Sequence, residues 1–98
     1  MNIKKEENAK ELKLSLDGRL DTTTAPQLEA ELKRSIGGKE SLVFDFLGLE
    51  YISSAGLRVL LSAQKVMNKQ GGMIIRHVND TINDVFEVTG FCDILTIE

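Results

Sequence analysis

Between Ser41 and Gly71 the chain changes its hydrophobic period once, and that change constrains the fold more than any other feature. Leu42-Val43-Phe44-Asp45-Phe46-Leu47 is a mainly apolar run of strand length, and from Leu57 onward apolar residues recur at helical spacing. Between the two, Gly48 predicts a turn, and Tyr51-Ile52 a pinned loop ahead of Ser53 and Ser54. Serine directly before an apolar-periodic run is a helix N-cap signal, because its oxygen accepts the free amide hydrogens of the first turn. Two in tandem exceed what one cap uses. One reading is a doubled cap with no further role. The other is a surface hydroxyl at the positive end of a helix, where a phosphate is tolerated without unfolding the helix.

The same alternation flanks this segment. Ile3 to Lys5 predicts a short strand, and Glu6 to Lys10 a loop. Over Glu11 to Asp17, Leu12, Leu14 and Leu16 alternate with Lys13, Ser15 and Asp17, the period of a half-buried strand that pairs with the first as a hairpin. Gly18-Arg19-Leu20-Asp21 leads to a first helix, where Thr24 and Gln27 match a capping box and Pro26 fits the first turn. Ala25, Leu28, Leu32 and Ile36 form its apolar stripe before Gly37-Gly38. The second helix runs to about Gln70, with an apolar surface broad enough to predict burial between neighbours. Met73 to Val78, carrying Arg76 and His77, reads as a strand; Asn79-Asp80-Thr81 opens a short helix that Gly90 stops; Ile94 to Ile97 reads as a last strand.

Strands and helices alternating in this order predict one α/β domain over residues 1–98, a mostly parallel sheet with an antiparallel N-terminal strand. Charged residues inside the strands place the helices mainly on one face and leave the other wet. All strand-to-helix loops then emerge along one rim, which gathers Asp21 to Thr24, Ser53 to Ala55 and Asn79 to Thr81.

Ordinary catalysis finds little support on that rim. The single His77 is expected within a strand, no spacing selects a Ser-His-Asp set with Ser54, and one Cys with one His makes no metal site. Gly71-Gly72 lacks the lysine and hydroxyl of a phosphate-binding loop. A formal net charge of −3 without a basic stripe argues against direct nucleic-acid binding. No apolar run approaches the roughly 20 residues that span a bilayer, so no membrane partner and a cytoplasmic location are expected. Neither a catalytic residue nor a cofactor is predicted.

Over its whole length the chain resembles the STAS domain of bacterial anti-sigma factor antagonists. The matching pieces are Gly18-Arg19-Leu20-Asp21, Leu42-Val43-Phe44-Asp45-Phe46, Ile52-Ser53-Ser54-Ala55-Gly56-Leu57, Gly71-Gly72 and Phe86-Glu87-Val88-Thr89-Gly90-Phe91. The resemblance implies a β-α superhelix and a partner-switching regulator rather than an enzyme. The unphosphorylated form would bind an anti-sigma factor of the histidine-kinase-like ATPase type and release the sigma factor. That partner would phosphorylate a serine at the start of the second helix, and a PP2C-type phosphatase would restore it. The family motif, Asp-Ser-(Ser/Thr/Ala)-Gly, puts the phosphoacceptor at Ser54, with Ser53 as the alternative. The motif aspartate is Ser53 here. Asp21, Thr22, Thr23, Ser53, Ser54, Ala55, Gly56 and Arg58 are the expected partner-binding residues. Two other readings stay open: a non-phosphorylated STAS adaptor docking on a transporter ATPase or another regulatory protein, and a small-molecule or nucleotide binder using the helix N-termini of the rim.

Overall fold

The computed structural model describes residues 1–98. Its elements in chain order are β1 (Asn2–Glu7), β2 (Glu11–Leu20), α1 (Ala25–Ser35), β3 (Ser41–Ile52), α2 (Ser54–Gln70), β4 (Gly72–Arg76) and α3 (Asp80–Thr89), followed by a 3-10 turn at Phe91–Asp93. The sheet order is β1-β2-β3-β4. β1 pairs antiparallel with β2, and β2, β3 and β4 run parallel. The expected α/β architecture is the one observed.

The helices cover one face. Leu12, Leu14 and Leu16 of β2, Phe44 and Phe46 of β3 and Ile75 of β4 are buried in a single core of 22 residues that also holds Leu28, Leu60, Ile82 and Phe86 from the three helices. On the opposite face Lys13, Ser15 and Asp45 are only half-buried, and Leu47 is 77% exposed. Removing the apolar face from water is the main stabilising contribution, at roughly 25 cal/mol per Å².

Where the structure departs from the sequence reading, a local cause can be named. Gly48 makes no turn, and Tyr51-Ile52 are not loop: β3 is continuous for 12 residues. Two irregularities hide it. Ser15 faces Asp45 but Asp17 faces Gly48, so Phe46 and Leu47 together oppose Leu16; further on, Glu50 is extra between Leu49 and Tyr51. Each bulge inverts the alternation, so the inward residues become Phe46, Leu49 and Ile52, three apart rather than two. Asp45 holds the first bulge by accepting the Leu47 amide at 3.0 Å. β2 likewise continues through Gly18 to Leu20 instead of ending at Asp17.

The last strand shrinks to one parallel bridge, Ile75 to Ile97. Phe91 spends its carbonyl on the amides of Ile94 and Leu95, which winds the chain into a 3-10 turn and leaves too few residues for a strand. His77, expected within β4, lies just past its end with φ 60, a left-handed backbone uncommon for a side chain of this size.

Candidate functional site

Because β2, β3 and β4 are parallel, the segments following them into α1, α2 and α3 share one edge of the sheet. The three helix entrances on that rim are built differently. At α1 the capping box is real but sits three residues earlier than the sequence suggests. Thr24 has helical backbone angles and makes no side-chain cap bond of its own. Instead the Asp21 carboxylate accepts the amides of Thr23 and Thr24 at 3.0 and 3.1 Å, and the Thr24 hydroxyl accepts the Asp21 amide at 2.8 Å. Gln27 turns away and donates to the Met1 carbonyl. The Thr23 hydroxyl, donating at 2.7 Å, is the main reason the Asp21 carboxyl sits below its ordinary value of 3.8; partial burial opposes the shift and the amide donors reinforce it.

At α3 the Asn79 side chain accepts the Ile82 amide at 2.8 Å and donates to the Leu49 carbonyl, a complete cap tied to β3. Beside it, His77 Nδ1 lies 2.9 Å from Asp45 Oδ1. Burial alone would raise the Asp45 carboxyl; the contacts with His77 and the Leu47 amide outweigh it and bring Asp45 below 3.8.

The entrance to α2 is open. Ser53 occupies the cap position with an extended backbone, but no side chain caps the first turn. Its amide donates to the Leu20 carbonyl at 2.9 Å, while its Oγ is buried without a hydrogen-bond partner. Ser54, the first helical residue, is exposed. Both serines therefore stand at the helix entrance, with opposite accessibility and without the capping bonds expected of a doubled cap.

Among the other expected contact residues, Thr22, Ala55 and Arg58 converge on one shallow cavity of about 220 Å³ between α1 and α2, which Glu29 and Val59 also line. Thr22, Thr23 and Arg58 are exposed, and Ala55 is half-buried. Gly56 is buried, and a Cβ there would meet Leu20 Cγ at 2.7 Å and Ile52 Cγ1 at 2.9 Å. Its contribution is to seat the helix against β2 and β3. The sequence reading overlooked Arg19, whose guanidinium lies 4.4 Å from the centre of the Tyr51 ring. The register pairs these two residues directly, and the sequence signal was the unbroken β2 alternation through Arg19 and Leu20.

Fold and rim together define a small β-α module whose three helix starts share one edge, the start of α2 being the one without a side-chain cap. The STAS domain family model matches residues 1–98, and the chain belongs to that family. It is 39% identical over 84 residues to a candidate anti-sigma factor antagonist, BtrV of Bordetella bronchiseptica, covering 84% of this chain and 72% of that one. The anti-sigma factor antagonist SpoIIAA shares the fold in its unphosphorylated form, with TM-score 0.78 and 19% identity over 99% of this chain and 87% of that one. Its phosphorylated form gives TM-score 0.77 and 20% identity over 99% of this chain and 91% of that one.

Proposed function

We propose that this chain is an anti-sigma factor antagonist, switched off by phosphorylation of Ser54. The unphosphorylated rim docks on an anti-sigma factor of the histidine-kinase-like ATPase type and displaces its sigma factor. That kinase transfers the γ-phosphoryl group of ATP to Ser54 Oγ, with ADP as the leaving group and the hydroxyl proton passing to a base of the kinase. A PP2C-type phosphatase hydrolyses the ester with water to serine and inorganic phosphate, which resets the switch. The cytoplasm is the proposed place of action. The observation that carries the reading is the contrast between an exposed Ser54 and a buried Ser53 Oγ at an entrance no side chain caps. The names of similar proteins support the same class.

The physics of such a switch is local. A phosphate brings a charge of about −1.5 to −2 at neutral pH. The positive end of α2 offsets part of the local cost, by roughly 0.3–1 kcal/mol. The core beneath is untouched, so the charge of the rim changes while the fold persists, and a docked partner is lost through repulsion and clash rather than unfolding.

Intact-mass analysis after incubation with ATP and the kinase tests the assignment. One added phosphoryl group is expected in wild type and in Ser53→Ala, and none in Ser54→Ala. Incorporation that survives Ser54→Ala would move the site elsewhere. No incorporation, with stable binding to a transporter ATPase, would favour the adaptor reading instead.

A further inference from the structure

Arg58 is exposed on α2, lines the cavity between α1 and α2, and makes neither a hydrogen bond nor an ion pair. The acid that shares this cavity, Glu29, is already engaged by Lys33 at 3.2 Å. The guanidinium is thus an unmatched cation at the upper end of a groove. That groove continues into a second depression of about 230 Å³, lined by Leu32, Lys33, Ile36, Ala63 and Val66, with Glu29, Val59 and Ser62 common to both.

Ser54 lies four residues earlier on the same helix. Helical side chains lean toward the N-terminus, so a side chain at position 58 can reach the turn that carries Ser54, which does not itself line the cavity. A negative group four residues ahead of a positive one is the favourable order on a helix. The planar guanidinium also matches phosphate oxygens two at a time, whereas the unmodified hydroxyl offers it no charge.

We propose that Arg58 is the internal partner of a phosphoryl group on Ser54, and that phosphorylation draws its guanidinium from the mouth of the α1–α2 groove onto the phosphate. This rests on the assignment of Ser54 as acceptor. One modification then changes two surfaces: the helix entrance gains an anion, and the groove mouth loses its one unpaired cation. The Glu29–Lys33 pair stays in place, so the groove mouth turns from basic to neutral without movement of the backbone.

The test installs phosphoserine at position 54 during translation, in wild type, Arg58→Gln and Arg58→Lys, and follows the second phosphate ionisation by phosphorus NMR. The pKa in wild type is expected to lie below that in Arg58→Gln by roughly 0.2–0.5 of a pH unit, with Arg58→Lys in between. The difference should shrink on going to about 1 M salt, where screening is strong. The Arg58 Nε–H resonance should shift on phosphorylation of wild type. Superimposable titrations in wild type and Arg58→Gln, or a lower value in the variant, would overturn the proposal. Arg58 is a surface position, so unmodified Arg58→Gln is expected to melt with wild type. If the kinase never modifies Ser54, the function assigned above fails while this titration still reads the Arg58–phosphate contact.

Discussion

The entrances to α1 and α2 lie on the same rim and are both rich in hydroxyls, yet one is closed and the other open. At α1 the chain satisfies itself: Asp21 and Thr24 exchange hydrogen bonds, and Thr23 secures the carboxylate. At α2 the cap residue turns its oxygen inward without a partner, and the next serine faces solvent. Hydroxyls of similar sequence appearance thus do opposite work. Those at α1 stabilise the fold; those at α2 leave the positive end of the longest helix unanswered, where added negative charge is tolerated.

The most disruptive way to break this contrast is to unseat α2. Gly56→Val pushes branched carbons into Leu20 and Ile52 and should cost about 1–3 kcal/mol, read as a lower denaturation midpoint. Removing the closed cap is next. Asp21→Ala should lower the urea midpoint clearly, because it leaves the Thr23 and Thr24 amides without their carboxylate acceptor. Ser53→Ala at the open entrance removes an unpaired buried oxygen and should stay within about 0.5 kcal/mol of wild type. Equal losses at the two sites would erase the distinction.

Acid titration sharpens it further. The folded-state values of Asp21 and Asp45 are depressed, so their stabilising contributions are present above the ordinary value of 3.8 and vanish as pH falls through the lower folded values. Thermal melts of Asp21→Asn should therefore lose less stability than wild type on acidification below about pH 4. Ser54→Asp is a small effect of the opposite sign: a charge at the open entrance should leave the melting temperature unchanged or raise it slightly, by roughly 0.3–1 kcal/mol of added stability. A marked drop would mean the entrance does not accept negative charge.

Much of this is legible in the sequence. The regular alternation in β2 and the helical stripes of α1 and α2 located the sheet, its covered face and the rim. What hid the rest was local. The bulges at Phe46-Leu47 and Glu50 broke the period of β3, so a strand read as a turn and a loop. In sequence, Thr24, Pro26 and Gln27 make a better capping pattern than Asp21, but the backbone of Thr24 is already helical. The differing accessibility of Ser53 and Ser54 has no sequence signature, since it depends on how the end of β3 packs against Leu20.

The central claim is that charge at Ser54 governs docking while the fold stands. Calorimetric titration of the anti-sigma factor kinase with unmodified and Ser54-phosphorylated protein, alongside melting curves of both, tests it most directly. Affinity should fall at least about tenfold on phosphorylation, with melting temperature unchanged or slightly raised. Equal affinities, or a loss that tracks a lower melting temperature, would contradict it.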